Sequence, residues 1–363
     1  MQRLAIVAVA ALLLLTLVEG LASLAITAGL YFGPSSRFAQ DVYSRYDPEL
    51  GWVALPNVAL PDMWGPGLGL YTDSHGFRGR TETPETPPAD KVRFMCSGDS
   101  FTFGSGVADE AAWCALLPTI DQRIESINLG QGGYGVDQAF LRFRRDGARF
   151  HPKVHLFAVI DADLDRMRSN RFIDYGKPTL ALRDGTLEVE NVPAPSVRWW
   201  VPSVRTAEIV RRTKASELVD SLLGRLGGGP TAVAAAAATT APPADVLATA
   251  LAAMDVLADL ATKDGGRLIV LHLPTAGDCL GVRPAVDWWR AFERELGARS
   301  ILSLDLADDC RAQPVSKLDT FFIPQHEARY WGGAGHYTVE GNRFIAETLL
   351  DEIRPLIDGF ARR

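Results

Sequence analysis

Positive charge is scarce in this chain: 37 Lys and Arg stand against 44 Asp and Glu, a net charge of −7 over 363 residues. There is no basic field to gather phosphates, so nucleic acid is not an expected partner. Cysteine is scarce too, with only Cys96, Cys114, Cys279 and Cys310, none in a Cys-x-x-Cys pair. The six histidines show no paired-ligand spacing either, so no metal site is read from the sequence. Apolar residues are not lacking. At 47% hydrophobic and 22% charged the chain is not a disordered one, and its length suits one large or two modest domains.

The longest apolar run is at the N-terminus, from residue 4 to residue 31, preceded by Arg3 and broken by Glu19. At about 1.5 Å per residue, a helix of that length crosses a ~30 Å hydrocarbon core. One carboxylate near its middle costs roughly 2.5 to 3.5 kcal/mol, which the many Leu, Ile and Val offset. The alternative is a cleaved signal peptide, with residues 4 to 18 as its apolar region and the small residues Ser23 and Ala25 before the cut. Residues 1–33 are thus read as anchor or signal, and both readings export the remainder. The anchor reading places the protein at the cell inner membrane with its main domain periplasmic. Export permits disulfides. Cys279 and Cys310 each follow an expected strand and are expected to pair, whereas Cys96 and Cys114 are read as buried free thiols.

Residues 34–90 are rich in Pro, Gly and aromatics, as in "YDPELGWVALPN" and "YTDSHGFRGR", and read as an extended arm. From Lys91 strands and helices alternate, which indicates an α/β fold of three layers, α/β/α, around a mostly parallel sheet. This domain, 91–360, carries an insertion at about 167–244. The insertion holds a hairpin signal at Asp184 and Gly185, a helical stretch near 203–223 and the low-complexity "GGGPTAVAAAAATTAPP". Leu247, Leu251, Met254 and Leu257 recur at helical spacing, as do Ile345, Leu349, Ile353 and Leu356 in a last helix near 339–357; both stripes read as core.

One turn stands out. "RFMCSGDSFTFGSG" is an apolar strand that stops at Gly98, Asp99 and Ser100 and restarts as a helix. That puts Ser100 at the carboxyl edge of the sheet, where open α/β folds bind ligands, and at a helix start with free N–H groups. "GDSFTFG" at 98–104, "NLGQGGYG" at 128–135 and "GHYTVEGN" at 335–342 resemble, in order, the Ser, Gly and His blocks of the SGNH (GDSL-type) hydrolase family. The resemblance runs from Lys91 to the C-terminus, and the arm is similar to that of membrane-tethered bacterial members.

This resemblance implies a flavodoxin-like sandwich and a serine esterase without a cofactor. Ser100 would be the nucleophile and His336 its base, since a hydroxyl is a poor nucleophile until imidazole takes its proton. The backbone N–H groups of Ser100 and Gly133 would form the oxyanion hole. The sequence departs from the family pattern twice: Ala162 stands where the third block has Asn, and Gly333 where an Asp precedes the His by three. Asp99 and Asp163 are possible supporting groups, with Asp163 able to hold Arg166 or a loop. The expected substrate is an acyl ester on an envelope glycan or lipid. Two other uses of the scaffold are an O-acyltransferase to a polysaccharide and a noncatalytic binding or assembly protein. His75, His151, His155, His272 and His326 read as structural.

Overall fold

The computed structural model describes residues 2–32, 42–172, 175–195, 244–281, 288–328 and 333–361. The helical stretch near 203–223 and the low-complexity segment lie outside them. The chain divides into two compact units, Met1–Phe38 with Val197–Ala236, and Ala39–Ser196 with Ala237–Arg363. In the first unit Gln2–Phe32 is one helix, which exposes large apolar side chains such as Leu12, Leu14, Leu15 and Leu17. Among the described residues no helix is long and apolar enough to cross a membrane. The side chains of residues 2, 4, 5, 8 and 25–32 of this helix lie outside the described set.

The second unit is built on five parallel strands. In space they run Leu302–Asp305, Arg267–His272, Val154–Val159, Val92–Ser97 and Ile124–Asn128. Numbered along the chain this is the order 2-1-3-4-5 of flavodoxin-like sheets, which bind ligands where strands 1 and 3 diverge. Strands Val92–Ser97 and Val154–Val159 are buried along their whole length, as expected of a sheet covered on both faces. Side chains alternate between two cores. Met95, Phe157, Val159 and Val270 join the core under helices Ala244–Lys263 and Trp288–Ala298; Phe94, Cys96, Leu156 and Ile269 join the one under Trp113–Ile120 and Val339–Ala361. The stripe Ile345, Leu349, Ile353 is buried as expected. The hairpin Thr179–Arg183 with Thr186–Glu190 turns at Asp184 and Gly185, both left-handed at φ 51° and 78°, as its two-residue turn requires.

Cys279 and Cys310 are joined, with Cα atoms 5.2 Å apart. The expectation of free thiols at Cys96 and Cys114 is corrected: these two are also joined, at a Cα separation of 6.3 Å. Cys96 points from its strand into the same core layer that the helix carrying Cys114 covers, a facing that neither local pattern reveals.

His155 lies wholly inside the sheet, its Nε2 2.8 Å from Ser97 Oγ and its ring stacked on Phe143. Burial pushes its pKa down to about 3. The unfolded chain binds a proton at an ordinary imidazole near pH 6.5 and the native chain does not, so stability falls as pH drops below that value. Between about pH 6 and pH 4 the expected slope from this group is about 1.4 kcal/mol per pH unit. Urea unfolding across that range checks it; His155→Phe should flatten the dependence.

Candidate active site

Strand Val92–Ser97 ends at Gly98, whose φ of 155° and tight surroundings exclude a side chain: a Cβ there would overlap Thr102 Oγ1 and approach Ala158 O to 2.8 Å. The chain can therefore turn sharply into helix Ser100–Phe103. Asp99 caps that helix by accepting the Phe101 N–H at 2.8 Å. Ser100 is its first residue, so its own N–H has no intrahelical acceptor.

His336 arrives from 236 residues away. The segment 333–337, just before helix Val339–Ala361, is held by Ile323 N–H on the His336 carbonyl at 2.8 Å and Gly335 N–H on the Ile323 carbonyl at 2.8 Å. The His336 ring stacks on Phe101 at 4.9 Å, and its Nε2 lies 2.7 Å from Ser100 Oγ. Its Nδ1 is 3.3 Å from the Gly333 carbonyl. An acceptor beside Nδ1 places the proton there, which leaves Nε2 to accept from the serine hydroxyl. Gly333 thus puts a backbone carbonyl near Nδ1 from the position where a carboxylate was expected. A carbonyl can orient the ring but carries only a partial charge to stabilise imidazolium.

The glycine block is fastened to the serine turn by Leu129 N–H on the Cys96 carbonyl at 2.8 Å and Gln131 N–H on the Gly98 carbonyl at 3.1 Å. A Cβ at Gly130 would overlap the Phe103 backbone, which is why the two blocks can approach so closely. Gly133 has φ 79°, and a Cβ on it would overlap the Phe172 ring. The arm braces this loop from the other side. Trp52 Nε1 donates to the Gly132 carbonyl at 2.9 Å, the Tyr134 hydroxyl donates to the Trp52 carbonyl, and Gln131 Oε1 accepts from Ala54 N–H at 2.9 Å. Gly133→Ala is expected to lower kcat on an ester by roughly a hundredfold, through strain and a displaced N–H. Unchanged kcat in a correctly folded variant would remove Gly133 from the oxyanion hole.

Asp99 and Asp163 meet through Arg166. Its Nη1 donates to Asp99 Oδ2 at 3.0 Å, to Asp163 Oδ1 at 2.5 Å and to the Tyr134 carbonyl at 2.9 Å, so one guanidinium ties the serine and glycine blocks to the helix of Asp163. Asp163 also accepts the Ile160 N–H at 3.0 Å. Burial, with Asp99 beside it, holds the Asp163 carboxyl well above the usual carboxylate range, against the pull of Arg166. Asp163 therefore acts on the Arg166 junction. Ala162, half-buried against the core, brings no side-chain donor. The expectation that Asp163 holds Arg166 is met by the Nη1–Oδ1 contact; the sequence reading missed that the same guanidinium reaches Asp99 and Tyr134, and that Trp52 braces the glycine loop.

No protein-family model matches the chain, and no curated protein does. Among solved structures it is similar to a lipase/acylhydrolase from Enterococcus faecalis, with 11% identity over 73% of this chain and 96% of that one, at TM-score 0.40. It is also similar to the acetylxylan esterase Axe2 from Geobacillus stearothermophilus (13% identity, 72% and 94% covered, TM-score 0.38) and to a member of the lipolytic protein G-D-S-L family from Veillonella parvula (12%, 71% and 96%, TM-score 0.36). Likeness this distant settles neither fold nor chemistry. The fold rests on the strand order, and the chemistry on the pairing of Ser100 with His336.

Proposed function

We propose that the chain is a serine esterase of the SGNH type, and the observation that carries this is the 2.7 Å approach of His336 Nε2 to Ser100 Oγ at the divergence of strands 1 and 3. Ser100 Oγ attacks the acyl carbonyl while its proton passes to His336 Nε2. The oxyanion is held by the N–H groups of Ser100 and Gly133. Collapse expels the alcohol, which takes the proton back from His336, and water then releases the acid by the same steps in reverse order. Without the Asn amide at 162 or a carboxylate at 333, turnover is slower than at a complete site by about two to four orders of magnitude.

The substrate we propose is an acyl ester of an envelope glycan or lipid, reached from the outer face of the inner membrane with residues 1–33 as the anchor, 34–90 as the arm and 91–360 as the enzyme. The apolar run from residue 4 to 31 supports that placement. A reporter that works only in the periplasm, fused after Arg363, should be active; activity of a cytoplasm-only reporter there would overturn it. For the chemistry, short-chain aryl esters and acetylated oligosaccharides should release free acid with the full chain and not with Ser100→Ala. Transfer of the acyl group to an added sugar, in place of acid release, would convert the reading to an O-acyltransferase. Absence of both products would leave the altered positions Ala162 and Gly333 as marks of a noncatalytic binding protein.

A further inference from the structure

Beside the serine, the carboxyl ends of two neighbouring strands bring together groups that the esterase chemistry does not use. His272 ends strand Arg267–His272, Asp161 follows strand Val154–Val159, and Asp278 lies in the short helix after His272. One ligand atom from each lies within 4.8 Å of the others. His272 is buried, with 5% of its surface exposed, and its ring stacks on Trp289 at 4.9 Å. Its Nδ1 sits 2.7 Å from Asp305 Oδ1, whereas its Nε2 has no hydrogen-bond partner and points at Asp161 Oδ1, 3.8 Å away. That separation is too long for a hydrogen bond. It is one that an ion about 2.1 Å from each atom would span.

We propose that Asp161, His272 and Asp278 bind one divalent first-row cation, such as Zn²⁺ or Mn²⁺. Two carboxylates and one imidazole are a donor set suited to such ions. Asp305 behind Nδ1 supplies the carboxylate–histidine support that commonly fixes a ligating ring. Other polar contacts among the described residues orient the carboxylates: Trp288 Nε1 donates to Asp161 Oδ1 at 2.7 Å, and Thr275 donates its N–H at 2.8 Å and its hydroxyl at 2.6 Å to Asp278 Oδ2. Spacing along the chain gave no metal motif because Asp161 comes from the end of the neighbouring strand, 111 residues before His272, and only His272 and Asp278 are close in sequence. Asp161 also opens the helix Asp161–Arg166, whose Asp163 and Arg166 hold the serine turn, so the cation positions the third block without touching the reacting atoms. A proton competes for the same place: against the opposing effect of burial, Asp161 and Asp305 raise the His272 pKa to about 9.

The test uses the untagged full chain, stripped with chelator and reloaded with Zn²⁺ or Mn²⁺. Metal analysis and calorimetry should give one tightly held ion per chain, weakened at least tenfold by Asp161→Asn and by Asp278→Asn and unchanged in the distant Asp259→Asn. Pulsed electron paramagnetic resonance of the Mn²⁺-loaded wild type should show one coordinated imidazole nitrogen, a readout that needs no variant to fold. A wild type that binds no ion, an ion without imidazole coupling, or equal affinity in Asp161→Asn and Asp278→Asn would overturn the proposal. His272 would then be a charged imidazolium bridging Asp161 and Asp305.

Discussion

His336→Ala should lower ester turnover by roughly three to four orders of magnitude at neutral pH while leaving the thermal melt close to that of the wild type. The loss follows from the geometry: with Nε2 gone, the side-chain acceptor left on Ser100 Oγ among the described residues is Asp99 Oδ2 at 3.4 Å, a long contact to a carboxylate already engaged by Arg166, and the hydroxyl reverts to a poorly activated alcohol. The fold should survive because the backbone contacts of this segment, through Ile323 and Gly335, do not involve the imidazole. Loss of the stacking on Phe101 costs about 1 kcal/mol at most. Single-turnover kinetics should place the defect in acyl-enzyme formation. A variant that retains wild-type kcat would show that another group activates the serine.

Arg78→Met should destabilise the protein by roughly 3 to 5 kcal/mol, the cost of leaving one partner of a buried ion pair alone. The Arg78 side chain is 1% exposed, pairs with Asp109 at 2.9 Å and lies over the Phe103 ring at 4.9 Å. It also donates to the carbonyls of Phe103, Gly104 and Val107. Burial already raises the Asp109 pKa against the opposing charge of Arg78, so removing the arginine favours protonating or exposing that carboxyl. Because two of the three carbonyls belong to the end of the helix that starts at Ser100, kcat should fall along with stability. Urea unfolding with an unchanged slope and an extrapolated unfolding free energy lowered by less than about 1 kcal/mol would show that the arm is dispensable for holding that helix.

The serine, glycine and histidine blocks were legible because each is local: a strand end, a glycine that a turn or close approach demands, and a polar residue placed by that turn. The two core faces of the sheet were legible for a similar reason, since apolar runs and helical stripes are periodic. What stayed hidden was convergence across the chain. Trp52 meets Gly132 from 80 residues away, and Arg78 meets the helix of Ser100 from an arm that reads only as rich in Pro, Gly and aromatics. Cys96 and Cys114 looked like core thiols because the facing of one strand residue toward one helix turn depends on how the layers stack. The absent carboxylate at 333 was visible in the sequence; the backbone carbonyl that stands near Nδ1 was not, because every residue has one.

A serine-directed fluorophosphonate incubated with the full chain in detergent tests the assignment of the nucleophile most directly. The expected result is one adduct per chain, mapped by peptide mass spectrometry to Ser100, absent in Ser100→Ala and formed far more slowly in His336→Ala. A folded wild type that stays unlabelled after long exposure, or an adduct on any other residue, would contradict it.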